Sequence, residues 1–119
     1  MLSSQQKIQS DLTSHEISLE EMKKHYSDYV THCLRFYSRH PKPNYFKTEV
    51  DRKDWQAVDT ALKGFSDDER DTLLTIYREG DTISDNIYNF AKKRGINQDS
   101  IWSLVEKLEK KVAKRRGLL

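Results

Sequence analysis

The 119-residue chain has a single cysteine, Cys33, and no hydrophobic run approaching the ~20 residues that a membrane span requires. One cysteine excludes an intrachain disulfide framework and favours a reducing compartment. The first six residues lack a basic region followed by an apolar run, so we expect no secretory signal. Together these absences predict a cytoplasmic protein with no membrane partner.

Glycine and proline are also scarce. The chain has four glycines and two prolines, which favours long helices with few turns over a strand-rich fold. Charged residues make up 34% and hydrophobic residues 35% of the chain, so the helices should be exposed and the core modest. The length suits one domain of ordinary size, and the expected fold class is all-α.

The first half is predicted to hold a long amphipathic helix and a proline linker. Residues 1–16 are polar and weakly periodic, as in a frayed arm or a short helix. From Ser18 to about Ser38, apolar and aromatic residues recur at three- and four-residue steps, the period of a helix with one buried face. Pro41 and Pro43 then break the helix. We divide the chain into an N-terminal helical arm with its Pro linker, residues 1–44, and a helical domain, residues 45–119.

Capping signals predict the helices that follow the linker. Thr48 or Asp51 opens one helix, which carries Trp55 on its apolar face. Ser66 followed three residues later by Glu69 is a capping box, because each side chain can bond the backbone N–H of the other residue. A second helix is therefore expected to begin there, and a glycine should close each of the two.

The stretch 86–104 carries the most informative spacing in the chain. A helix capped by Ser84 or Asp85 should end at Gly95, four residues after the small Ala91. Glycine adopts a left-handed backbone at a helix end with the least strain, and Asn97 suits the cap of the last helix, which should run to about residue 114. The apolar residues around this turn are predicted to meet in one small core: Phe90, Ile96, Ile101 and Leu104.

This spacing suits a DNA-binding helix-turn-helix, whose second helix enters the major groove. The charge distribution favours the same partner. Residues 80–119 hold nine Lys/Arg and five Asp/Glu, whereas residues 1–79 hold twelve and fourteen, and a basic region attracts an anionic partner. An ordinary helical hairpin with a solvated lysine-rich face would show the same features, so both interpretations stay open.

Two segments resemble known proteins. The run Phe65-Ser66-Asp67-Asp68-Glu69-Arg70, followed by a loop and the stretch 86–104, is similar to region 4 of bacterial sigma factors. The tail, residues 105–119, resembles the end of small phage and prophage regulators of the ArpU/RinA type. The resemblance covers residues 65–119 and implies a sigma region 4-like helix-turn-helix in a DNA-binding protein of mobile-element origin.

The resemblance also implies that the first turns of the last helix face base edges, with Asn97 or Gln98 bonding adenine in a bidentate way. Cations at the end of the preceding helix and along the last helix are predicted phosphate contacts. Trp102 is predicted to pack at the core boundary. The expected DNA-binding residues are Lys92, Lys93, Arg94, Asn97, Gln98, Asp99, Ser100, Ser103, Lys107, Lys110 and Lys114, with Lys111, Arg115 and Arg116 as further phosphate contacts.

No residue pattern points to catalysis. His25 and His32 lie seven residues apart, the second beside Cys33, but the further close ligand that a metal site needs is missing from the sequence. The chain has no phosphate loop and no nucleophile elbow. We therefore expect a protein that is not an enzyme and that holds no cofactor or metal.

Three functional hypotheses follow. The leading one is a small phage- or prophage-type DNA-binding transcriptional regulator. Its partner is double-stranded DNA, and its N-terminal and Trp55 helices supply a homodimer or partner surface. The second is a protein-interaction module whose aromatic helix, residues 19–37, binds RNA polymerase or a host defence protein. The third is the DNA-recognition subunit of a phage packaging machine, a small terminase.

Overall fold

The computed structural model describes residues 19–40, 42 and 46–119, and within the first helix it describes side chains from Tyr26 onward. Five helices follow one another: α1 (Leu19–Arg39), α2 (Glu49–Leu62), α3 (Asp67–Arg78), α4 (Ile83–Arg94) and α5 (Gln98–Arg115). No described residue lies in a strand, so the all-α prediction is confirmed. The predicted arm at residues 1–16 and both prolines of the linker lie outside the described residues.

Side-chain caps set the first residues of α2 and α3. The Ser66 hydroxyl accepts a hydrogen bond from the Glu69 N–H at 3.2 Å, and the Glu69 carboxylate accepts one from the Ser66 N–H at 2.9 Å. The predicted capping box is thereby confirmed. Thr48 rather than Asp51 caps α2, because its hydroxyl accepts from the Asp51 N–H at 3.1 Å.

Thr82 caps α4, so the prediction of Ser84 or Asp85 as its cap is wrong. The Thr82 hydroxyl accepts from the Asp85 N–H at 3.1 Å, and its extended backbone (φ −63°, ψ 155°) directly precedes Ile83. Starting the helix there lets Ile83 pack against the core. Ser84 and Asp85 fall inside the first turn, where the Asp85 carboxylate interacts favourably with the helix dipole.

One hydrophobic core joins all five helices. Helix α1 packs against α2, α3 and α5, and α4 packs against α3 and α5. Every helix supplies side chains with no solvent exposure, among them Val30, Leu34, Val58, Leu73, Ile76, Ile87, Leu108 and Val112. Helix α1 therefore shares its core with the predicted domain 45–119, and the boundary at residue 44 stays a prediction. Over the described part of the chain, no helix has the length and hydropathy of a membrane span.

The aromatic face of α1 is turned toward the other helices. Tyr26 and Tyr37 are 9% and 8% exposed, and Cys33 is fully buried between them. The Tyr37 ring lies 4.9 Å from that of Trp55 on α2, and its hydroxyl donates to Asp59 Oδ1 at 2.7 Å. This stripe on α1 consequently serves the internal contact with α2.

Candidate nucleic-acid interface

The turn between α4 and α5 depends on the left-handed backbone of Gly95 (φ 66°, ψ 37°). The Gly95 N–H donates to the Ala91 carbonyl, and the Ile96 N–H donates to the same carbonyl at 3.0 Å. These bonds close the end of α4, as predicted. Among the described residues, no atom beyond Gly95 and its chain neighbours lies within 4 Å of the place where a Cβ on Gly95 would stand. Glycine is therefore favoured here by the backbone angle and not by lack of space.

Asn97 caps α5, also as predicted, and the cap restricts what its side chain can bind. The Asn97 Oδ1 accepts from the Asp99 N–H at 2.7 Å. A bidentate contact with adenine needs both the oxygen and the nitrogen of the amide, so Asn97 would have to give up the cap to make one. Gln98, one residue later and exposed, has no part in the cap. Of the two predicted adenine readers, Gln98 is the better placed.

The core beneath the turn matches the prediction only in part. Phe90 and Ile101 are 8% and 1% exposed, and Leu104 packs half-buried against the core. Ile96, in contrast, is 45% exposed, so its predicted place in the core is wrong. Trp102, which was predicted to pack at the core boundary, is 36% exposed and lies outside the core cluster. Both side chains face solvent beside the turn.

A concave surface of about 570 Å³, which we call the turn groove, brings together four of the predicted contact residues. Lys92 from the end of α4 and Asn97, Gln98 and Asp99 from the start of α5 line it. The remaining lining comes from the turn itself and from neighbouring side chains: Tyr88, Ala91, Gly95, Ile96 and Trp102. Every residue from 92 to 100 is exposed, so the groove is open to a large partner.

The other two cations of α4 lie elsewhere. Lys93 and Arg94 line a separate groove between α3 and α4, whose lining includes Glu79 and Asp81. The Arg94 guanidinium also lies 4.6 Å from the centre of the Phe90 ring. Two acidic neighbours weaken the attraction of this groove for phosphate. The structure therefore separates Lys92 from Lys93 and Arg94, which the sequence prediction had grouped together.

Helix α5 carries the remaining predicted residues on its outer side. Ser103, Lys107, Lys110 and Lys114 follow one another at steps of four, three and four residues, and all are exposed, so they form one stripe. The ammonium of Lys107 lies 5.5 Å from the centre of the Phe65 ring. Ser100 is exposed one turn from the cap.

A third, basic groove lies between α2 and the second half of α5. Its lining includes Lys63, Lys111, Lys114 and Arg115. Arg116 differs from these cations: its Nε lies 2.8 Å from Oδ1 of Asp54, and its side chain is only 20% exposed. The ion pair with Asp54 makes Arg116 less available to a phosphate than the exposed cations of this groove, and its role as a phosphate contact stays a prediction.

Two side chains that the sequence prediction missed fix the position of α4. Arg35 of α1 donates to the carbonyls of Glu79 and Asp81 at 2.6 Å each. Asn86 of α4, which is 4% exposed, donates to the Ile76 carbonyl at 2.9 Å and to the same two loop carbonyls at 3.2 Å. In the sequence, the signal for this network was Asn86, a polar residue directly before the apolar Ile87 on the buried side of α4.

Burial raises the pKa of ionisable side chains that include Cys33 and Glu109. Burial, reinforced by the nearby Asp54 carboxylate, raises the pKa of the Cys33 thiol to about 12, so the thiol stays protonated at neutral pH. The Tyr77 hydroxyl donates to the Glu109 carboxylate at 3.2 Å, and burial raises the pKa of Glu109. Within the described ranges, no three His, Cys, Asp or Glu side chains are grouped closely enough to hold a metal ion.

No family model matches the chain, and no solved structure matches it.

Proposed function

We propose that the chain is a small phage- or prophage-type transcriptional regulator that binds double-stranded DNA, with α4 and α5 acting as a helix-turn-helix. The observation that carries the proposal is the turn groove. It presents Lys92, Gln98 and the exposed first turn of α5 on one open surface, while Ile101, Val105 and other residues of α5 are buried in the core.

The dimensions of α5 fit this proposal. An 18-residue helix is about 27 Å long, and the major groove of B-DNA, about 12 Å wide, accepts one helix end-first or lengthwise. With the N-terminal turns at the bases, Gln98 reaches base edges. The stripe of Lys107, Lys110 and Lys114 then lies about two and a half to four and a half turns further along the helix, where it contacts the flanking phosphates.

The alternative of a protein-interaction module draws little support from α1. Its aromatic side chains Tyr26 and Tyr37 are buried in the protein's own core, so RNA polymerase or a host defence protein would have to bind another face. The small-terminase alternative uses the same DNA contacts as the leading proposal. It differs from that proposal in biological role rather than in chemistry.

A binding titration at two ionic strengths tests the proposal. Fluorescence anisotropy with a mixed-sequence DNA duplex, at about 50 mM and about 200 mM salt, should show affinity falling steeply with salt, since each neutralised phosphate releases counterions. Lys92→Glu should weaken binding about tenfold at low salt and reduce the log–log salt slope by about one. Lys53→Glu, an equal charge change at an exposed position on α2, should leave both values unchanged.

Two results would refute the proposal. One is the absence of binding at low salt by a chain whose circular dichroism shows it folded. The other is equal weakening by both charge reversals, because that would reflect net charge and not a site at the turn.

A further inference from the structure

Three large hydrophobic side chains are exposed together on the turn groove. Tyr88 is 49%, Ile96 45% and Trp102 36% exposed, and all three line the groove. Single exposed hydrophobic residues are ordinary on a protein surface, as Val50 on α2 illustrates at 53% exposure. Three in one concavity mark an interaction surface, because together they present apolar area that water solvates poorly.

One cation and one acid lie beside this apolar set. The Lys92 ammonium lies 5.9 Å from the centre of the Tyr88 ring. Of the residues that the structure describes, Asp99 is the one acid that lines the groove, and its backbone N–H donates to the side chain of Asn97. Lys92 and the side-chain amide of Gln98 give the groove polar groups beside its apolar side chains, so a partner with both phosphates and apolar groups can be accommodated there.

Duplex DNA offers one such apolar group in the major groove. The flat faces of paired bases are stacked inside the duplex, so a side chain in the groove meets only their edges. Along those edges the 5-methyl group of thymine is the apolar feature, and the other positions are hydrogen-bond donors and acceptors. An apolar side chain in the major groove therefore gains contact area at thymine. At the other bases it covers polar edge atoms, which lose their water without gaining a hydrogen bond.

We propose that Trp102, with Ile96 and Tyr88 beside it, contacts thymine methyl groups and makes the chain selective for DNA sites rich in thymine at the turn groove. This inference rests on the proposed DNA-binding function and deepens it. Gln98, on the same groove, supplies an amide that pairs with adenine, so the two kinds of contact favour the same A·T base pairs.

Replacing thymine by uracil tests the inference, because uracil lacks only the methyl group. The tightest-binding duplexes are selected from a random library. The same pool is then amplified with either thymidine triphosphate or deoxyuridine triphosphate, which gives duplexes of the same sequences with thymine or with uracil. The thymine form should bind more tightly by about fourfold for each methyl group buried. Trp102→Ala should bring the two affinities to within about twofold of each other, whereas Val50→Ala should keep the full preference.

Trp102 lies outside the core cluster, so Trp102→Ala should retain the helical circular dichroism of the parent chain. Equal binding of the two DNA forms by the parent chain would overturn the inference and leave DNA binding intact. A preference that survives Trp102→Ala would overturn it too, and would leave the apolar set as a surface for a protein partner. Failure to bind either form would refute the proposed function itself.

Discussion

Replacing Asp54 by asparagine should destabilise the fold by about 2–3 kcal/mol, because it removes the carboxylate that pairs with the partly buried Arg116. Asp54 is 3% exposed. Its Oδ1 accepts a hydrogen bond from the Tyr29 hydroxyl at 2.7 Å and lies 2.8 Å from Nε of Arg116. A nitrogen of the same guanidinium donates to the Tyr29 hydroxyl at 3.3 Å. These three side chains join α1, α2 and the end of α5.

The magnitude follows from the burial of each partner. Removing one member of a fully buried ion pair costs about 3–5 kcal/mol, since the remaining charge is left without compensation. The Arg116 side chain is 20% exposed, so it can turn partly toward water, which lowers the cost. Asparagine keeps the size of Asp54 and an oxygen for the Tyr29 hydroxyl, so the hydrogen bond of about 1 kcal/mol is largely retained.

Urea unfolding, followed by circular dichroism at neutral pH, measures the effect. The midpoint should fall with an unchanged slope. In the double variant Asp54→Asn/Arg116→Met, the loss should be smaller than the sum of the two single losses by at least about 1 kcal/mol, because no buried charge remains. Asp71→Asn, the same substitution at an exposed position of α3, should stay within about 0.5 kcal/mol of the parent.

Additive losses in the double variant would contradict this account of the cluster. A loss for Asp54→Asn no larger than that of Asp71→Asn would do the same, since it would mean that water reaches the Arg116 guanidinium easily.

Two further predictions concern the turn and a buried carboxylate. Gly95→Ala should lower the free energy of unfolding in urea by about 1–2 kcal/mol, because a Cβ is strained at φ 66° although the space is open. Gly80→Ala, at a glycine with open space and no positive φ, is the control, and an equal loss in that variant would contradict the prediction. Burial raises the pKa of Glu109, so the folded state holds this proton more tightly than the unfolded state, and stability is lost as pH rises through the folded pKa. Glu109→Gln should therefore stabilise the protein at neutral pH and give no advantage at about pH 3.5, below the unfolded pKa; a difference that does not vary with pH would contradict the reasoning.

The helices of the second half were predictable because their end signals are local. Ser66 and Glu69 form the expected capping box, and Gly95 and Asn97 take the expected places around the turn. Each of these interactions joins residues no more than four apart, so the sequence alone contains both partners. The cap of α4 was missed since Thr82 and Ser84 offer the same chemistry. The packing of Ile83, which depends on the rest of the fold, decides between them.

The contacts that shape the candidate interface could not be predicted in this way. Arg35 bonds carbonyls more than forty residues away, and no local signal connects it with them. Helical periodicity gives the side of α5 on which a residue lies but not how far the neighbouring helix extends over that side. Ile96 was assigned to the core from its place after Gly95, whereas its side chain is 45% exposed.

The position of the turn groove depends on α1, although α1 contributes none of the groove's lining. Arg35 from α1 and Asn86 from α4 bond the same two carbonyls, those of Glu79 and Asp81. The loop between α3 and α4 is thereby held from both sides. These bonds help to set the direction of α4, which leads to the turn at Gly95. A constellation that reads bases must be held to within about 0.5 Å by its supporting residues. If the chain binds DNA as proposed, α1 therefore supports the recognition surface through Arg35.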